Sequence, residues 1–129
     1  MIVDTSALVA IALREPGFES VAETLIGSRN RSMSSVSVLE YSMVLSRKPG
    51  WDNAQRIAES LEQWQIMTIE FTGAHAHEAI AADQRFGKGR HPAKLNFGDC
   101  AAYATAKLAG EPLLYVGGDF ALTDVESAF

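Results

Sequence analysis

Four acidic side chains, far apart along the chain, are of the type that binds a divalent cation. They are Asp4, Glu40, Asp99 and Asp119. Hard cations such as Mg²⁺ prefer oxygen ligands, and proteins commonly hold them with one or two carboxylates, water and phosphate oxygens. Such ions can promote an in-line displacement at phosphorus, which requires neither histidine nor cysteine. Metal-dependent phosphoryl chemistry is therefore the first hypothesis for these acids.

Two of the acids also have an ordinary structural interpretation as helix caps. Asn96 is suited to cap a helix that begins at Phe97, which places Asp99 at the third helical position, as in a capping box. Glu40 has the same relation to Ser37 in a Ser-x-x-Glu pattern. Taken singly, each acid is explained better by local capping than by metal binding.

The remaining acids have local explanations too. Asp4 is suited to cap the turn at Thr5, while Asp119 and Asp124 follow turn-forming residues. Carboxylates crowded together without a cation would repel one another and lose solvation. If the fold brings the acids together, a metal site explains the set better than four separate caps.

The elements that must position the acids alternate between strands and helices. Periodicity and turn residues predict strands at 1–3, 32–36, 66–71 and 113–116, with a short fifth at 123–125. Helices are predicted at 6–13, 18–26, 38–46, 52–64, 72–86 and 97–109. The pattern indicates an α/β fold with a mostly parallel sheet of four to five strands and helices on both faces. In such sheets the working site lies beyond the carboxyl ends of the strands, where we expect all four acids.

Length and composition set further bounds. The 129 residues suit one domain over 1–129, and the net charge of −5 argues against holding nucleic acid by bulk charge alone. The apolar run at 7–13 is too short to span a bilayer and no basic residue precedes it, so we expect a cytoplasmic protein. The single cysteine, Cys100, excludes an internal disulfide and a cysteine-based zinc site.

Four stretches of the sequence carry a family resemblance. They are MIVDTSALVAIAL, SVSVLEYSMVLSR, RFGKGRHPAKLNFGDCAAYATAK and EPLLYVGGDFALTDV. Together they resemble PIN-domain ribonucleases, and more narrowly the VapC toxins of bacterial toxin–antitoxin pairs. The resemblance implies a three-layer α/β/α fold and a Mg²⁺-dependent endoribonuclease, with Mn²⁺ as an alternative ion. It also implies a small DNA-binding antitoxin and a toxin homodimer as partners, with RNA as substrate.

The resemblance assigns a role to each acid. Asp4 and Asp99 match the two principal metal ligands, and Glu40 matches an acid that holds the metal or orients its water. Asp119 matches an acid of the metal shell. A metal-activated water would then attack the phosphate in line. Two further residues are implied to support the ligands: Ser6, by a hydrogen bond to Asp4, and Asp124.

A basic segment precedes the helix that begins at Phe97. Its members are Arg85, Lys88, Arg90, His91 and Lys94. Such a local positive field in an acidic protein favours contact with RNA phosphates. The alternative is a solvated loop, or one that packs against a partner protein.

Two other functions fit parts of the sequence. A phosphatase of the haloacid dehalogenase type also begins with a strand and an aspartate, but it usually carries a second acid two residues later, where this chain has Ser6. A non-catalytic α/β module, such as a receiver domain, would carry paired early acids and a late lysine after a strand. Neither feature is present, since Asp4 is the only early acid and no lysine follows Val116.

Overall fold

The computed structural model describes all 129 residues. The sheet is built from four short strands: β1 (Ile2–Val3), β2 (Ser32–Ser34), β3 (Met67–Ile69) and β4 (Leu113–Leu114). Six α-helices accompany it: α1 (Thr5–Ala12), α2 (Phe18–Gly27), α3 (Ser35–Leu45), α4 (Ala54–Gln63), α5 (Gly73–Phe86) and α6 (Phe97–Ala109). A short 3₁₀ turn, Phe120–Leu122, follows β4.

The four strands form one sheet in the order β3-β2-β1-β4, and every pair is parallel. Ile2 is in register with Ser32 on one side and with Leu113 on the other. The chain therefore adds strands on one side of β1 and then returns to the other side with β4. The carboxyl ends of β1 and β4 form a topological switch point, which is where parallel sheets bind ligands.

Alternating strand residues divide the core into two layers. Ile2 and Leu113 pack with the buried residues of α5 and α6, whereas Val3 and Leu114 pack with those of α1 to α4. Because successive side chains of a strand point to opposite faces, one sheet separates two helical layers. The predicted three-layer α/β/α architecture is confirmed.

Local sequence explains where the helices that flank the switch point begin and end. Asp4 caps α1 through its side chain, and Asn96 caps α6 in a capping box with Asp99. Gly110 ends α6 with a φ of 65°, in the left-handed region that glycine adopts without strain. The predicted caps of these two helices are thus confirmed.

Two local predictions are wrong. The β2 strand ends at Ser34, which caps α3, so Ser37 lies inside the helix and is not its cap. No strand forms at 123–125; the 3₁₀ turn at 120–122 and a single bridge between Leu113 and Ser127 replace it. Ser37 is fully buried in the packed interior, which keeps it inside the helix and away from a helix end.

None of the helices has the length and the apolar character that crossing a lipid bilayer requires.

Candidate active site

Asp4 lies at the end of β1, where its backbone amide donates to Leu114 on β4. Its Oδ2 accepts hydrogen bonds from the Ser6 amide at 2.9 Å and from the Ser6 hydroxyl at 2.6 Å. Its Oδ1 is buried and has no hydrogen-bond partner. One oxygen is therefore fixed by the protein, while the other keeps its full capacity to bind a cation.

Burial raises the pKa of Asp4 from 3.8 to about 6, although both Ser6 hydrogen bonds oppose this shift. The negative charges of Asp99 and Glu40 raise the pKa further. A buried carboxylate surrounded by like charges is costly to the fold unless a cation compensates it. The chemistry of the donor set fits a hard divalent ion.

Asp99 lies in the first turn of α6, where it forms the predicted capping box with Asn96. Its Oδ2 accepts from the Asn96 amide at 3.0 Å, and its own amide donates to Asn96 Oδ1 at 2.9 Å. Burial raises its pKa, and the charges of Asp119 and Glu40 raise it further. The capping box therefore holds the carboxylate in place beside the other acids.

Glu40 lies within α3, beyond the reach of any cap. Its carboxylate occupies the space beside Gly98, where a Cβ would approach the carboxylate carbon to 2.7 Å. The Glu40 charge raises the pKa of both Asp4 and Asp99. The capping-box interpretation of Glu40 is wrong, and the structure brings this acid to the other two.

Asp119 follows β4 and precedes the 3₁₀ turn, and it is exposed. Its negative charge raises the pKa of Asp99, so it belongs to the same group of acids. No three acidic, histidine or cysteine side chains are arranged to enclose an ion. Asp99 is close enough to be repelled by Asp4, Glu40 and Asp119, and a bound cation would have to draw the four acids together.

Ser6 links Asp4 to the segment after β4. The Val116 amide donates to Ser6 Oγ at 3.0 Å, and that hydroxyl donates in turn to Asp4. The hydrogen bond that the family resemblance implied for Ser6 is present. The chain of donors connects the ends of β1 and β4 at the switch point.

Asp124 makes its contacts with α5 and α6 rather than with the four acids. The Tyr103 hydroxyl donates to Asp124 Oδ1 at 2.5 Å, and Arg85 and Lys107 each lie 3.4 Å from Oδ2. The Tyr103 hydrogen bond is the largest influence that lowers the pKa of Asp124, followed by the charge of Lys107. Nothing in the local sequence pairs Tyr103 or Lys107 with Asp124.

Three members of the basic segment have protein partners. Arg85 is paired with Asp124, and Arg90 lies 3.8 Å from Asp83. The His91 ring accepts from the Ala93 amide through Nδ1 and packs edge-on against Phe86. Two members of the segment are exposed and make no ion pair: Lys88 and Lys94.

An apolar surface, which the sequence did not predict, borders the acids. Phe97, two residues before Asp99, is 84% exposed. It lines two cavities, one of about 510 Å³ between α5 and α6 and one of about 400 Å³ beside α3. The one feature of the sequence that could have indicated this surface is an aromatic residue in the polar first turn of a helix. Three more exposed apolar residues extend this surface: Leu39, Met43 and Ile80.

Comparison with known proteins agrees with this architecture. The PIN domain family matches residues 1–126. Ribonuclease VapC36 of Mycobacterium tuberculosis is 46% identical over 128 residues, covering 98% of this chain and 91% of the relative. Ribonuclease VapC of Mycolicibacterium smegmatis is 40% identical over 125 residues, covering 97% of both chains.

Solved structures show the same fold at low sequence identity. The Mycobacterium tuberculosis VapC20 toxin, which cleaves the sarcin–ricin loop, superposes with a TM-score of 0.77 at 17% identity, covering 96% of this chain and 95% of that one. A toxin–antitoxin complex from Klebsiella pneumoniae gives 0.75 at 20% identity, covering 99% and 97%. The family match over nearly the whole chain, together with the sheet order and the grouped acids, shows that this chain belongs to the PIN-domain family of VapC ribonucleases.

Proposed function

We propose that this chain is a Mg²⁺-dependent endoribonuclease that acts as the toxin of a toxin–antitoxin pair. The observation that carries the proposal is Asp4, a buried carboxylate with one oxygen fixed by Ser6 and the other unpartnered beside two further acids. The ribonuclease names of relatives at 40% and 46% identity support RNA as the substrate.

Each acid would have a distinct task. Asp4 and Asp99 would bind the metal, because each has one oxygen held by the protein and its other oxygen in no hydrogen bond. Glu40 and Asp119 would complete the ligand set from α3 and from the segment after β4. When bound, Mg²⁺ lowers the pKa of a coordinated water and stabilises negative charge on the phosphoryl oxygens.

The surrounding residues would position the acids and the RNA. Ser6 fixes the Asp4 carboxylate, and Asp124 anchors the segment that carries Asp119 to α5 and α6. Lys88 and Lys94 would contact RNA phosphates directly. Arg85 and Arg90 would have to exchange exposed ion pairs for a phosphate, which costs little because such pairs contribute at most about 1 kcal/mol. His91 would contribute mainly through the loop conformation.

The apolar surface around Phe97 supports the proposed protein partners, an antitoxin and a second copy of the toxin. Large exposed apolar areas next to a polar site are typical of interaction surfaces. The Klebsiella pneumoniae neighbour is itself a toxin–antitoxin complex. If a gene for a small DNA-binding protein lies beside this one, co-expression of the two proteins, followed by measurement of the mass of each purified species, tests both partners.

The test of the proposed activity compares wild type with D4N and D99N. Each protein, purified free of antitoxin, is incubated with total cellular RNA in Mg²⁺, in Mn²⁺ and in EDTA. We expect discrete cleavage products from wild type with a divalent ion and none from either variant. Equal cleavage by all three proteins would mean that the activity comes from a contaminant or that the acids only cap helices, and either result would overturn the proposal. Metal binding without any cleavage would restore the phosphatase and binding-module alternatives.

A further inference from the structure

The carboxylate of Glu40 lies in space that exists only because residue 98 is a glycine. A Cβ built on Gly98 would lie 2.7 Å from the carboxylate carbon of Glu40 and 2.9 Å from Oε1, and closer still to Oε2. All three atoms fall inside 3.0 Å, a separation that real Cβ atoms essentially never show. A methyl group at position 98 and the present Glu40 carboxylate therefore exclude each other.

The backbone does not demand glycine here. Gly98 is in the first turn of α6, and its φ lies outside the left-handed region. Gly73, the first residue of α5, provides a direct comparison, because nothing lies within 4 Å of the Cβ it would carry. What distinguishes Gly98 is the group packed against it.

We propose that Gly98 is a positioning residue for Glu40: its missing side chain lets the Glu40 carboxylate lie against the first turn of α6, beside Asp99. The inference rests on the proposed function, in which Glu40 completes the metal site. The group that a methyl would displace is the end of a flexible side chain rather than backbone. The substitution G98A should therefore leave the fold intact and move only the carboxylate.

The first experiment reads the position of Glu40 without using activity. Crystal structures of metal-free wild type and G98A are compared, with G73A as the control. We expect α6 to stay in place in G98A while the Glu40 carboxylate moves away from residue 98. A carboxylate that keeps its position while α3 and α6 separate would overturn the proposal.

The second experiment asks whether the effect of G98A passes through Glu40. RNA cleavage and Mg²⁺ affinity are measured for wild type, G98A, E40Q and the double variant. Since small misplacements in a catalytic site can cost about a hundredfold in rate, we expect a loss of that order in G98A. In the E40Q background G98A should change the rate by no more than about twofold, whereas independent effects would multiply. The control G73A should cleave RNA like wild type. An unchanged melting temperature of G98A would exclude a folding defect in that variant.

The two proposals fail in different ways. If G98A and E40Q each lower cleavage and their effects multiply, Gly98 does not act through Glu40, although the nuclease assignment stands. If wild type cleaves no RNA, the proposed function fails. The crystal structures of G98A then still decide whether Gly98 positions Glu40.

Discussion

The Ser6 hydroxyl lies 2.6 Å from Asp4 Oδ2 and at the same time accepts the Val116 amide hydrogen at 3.0 Å. One side chain thus orients the most buried acid of the site and connects it to β4 and the segment that carries Asp119. Residues that orient metal ligands commonly affect metal affinity or activity by about 10- to 100-fold when removed. If Asp4 binds a metal ion as proposed, Ser6 orients that ligand through this hydrogen bond.

The substitution S6A removes the hydroxyl but leaves the Ser6 amide bond to Asp4. We expect Mg²⁺ affinity to fall about tenfold, because the Asp4 carboxylate gains freedom to rotate. Titration calorimetry with Mg²⁺ measures this change, and S20A on the exposed surface of α2 is the matched control. An S6A protein that binds Mg²⁺ as tightly as wild type would show that the hydroxyl has no positioning role.

The substitution D4N should stabilise the metal-free protein while abolishing cleavage. The pKa of Asp4 rises from 3.8 to about 6 on folding, so the folded state binds more protons than the unfolded state between these values. The stabilisation from protonated Asp4 is full below pH 3.8 and is lost as the pH rises through about 6. Above about pH 6, the charged Asp4 carboxylate therefore lowers the free energy of unfolding by about 3 kcal/mol relative to a neutral side chain.

Thermal melting in EDTA between pH 3.5 and 7.5 measures the effect of D4N. We expect the variant to melt several degrees above wild type at pH 7 and the two curves to converge near pH 4. Added Mg²⁺ should raise the melting temperature of wild type alone. A difference that does not change with pH would contradict the assignment of the effect to the Asp4 charge.

The substitution Y103F should destabilise the protein near neutral pH, because it removes the hydrogen bond to Asp124. That bond lowers the pKa of Asp124, so its stabilisation is present above the unfolded value near 3.8 and is lost as the pH falls through the lowered pKa. We expect a loss of about 1 kcal/mol at pH 7 that shrinks below pH 4. The control is Y115F, because the Tyr115 hydroxyl makes no hydrogen bond. Denaturant unfolding at pH 7 and below pH 4 measures the free energy of unfolding of each protein.

Exchanging both Lys88 and Lys94 for glutamine should weaken RNA binding without removing the chemistry. For single-stranded RNA, the logarithm of the binding constant falls with the logarithm of the salt concentration, with a slope of about −0.7 per phosphate contact. The double variant loses two contacts, so the magnitude of its slope should be smaller by about 1.4. The measurement is KM and kcat across a salt series. Arg29 precedes the amino end of β2, whereas the acids follow the carboxyl ends of the strands, so R29Q should behave like wild type. A loss confined to kcat would place the lysines in the chemical step instead.

The sequence by itself determined the fold class, and its resemblance to PIN-domain ribonucleases singled out the four acids as candidates. Alternating strands and helices predicted the parallel sheet, and the Asn-x-x-Asp pattern predicted the cap of α6 that the structure contains. These features are local, since a cap or a strand depends on residues a few positions apart. Local patterns also erred at Ser37, where burial against α1 overrode a plausible capping box.

Only the tertiary structure decided which residues cooperate across long separations. The contact between Glu40 and Gly98, the bond from Val116 to Ser6, and the pairing of Tyr103 with Asp124 join residues from different elements. It also showed that Arg85 and Arg90 lie in exposed ion pairs with carboxylates, whereas Lys88 and Lys94 make no ion pair. Such relations depend on how α3, α5 and α6 pack against one sheet, and no spacing within a single segment encodes that packing.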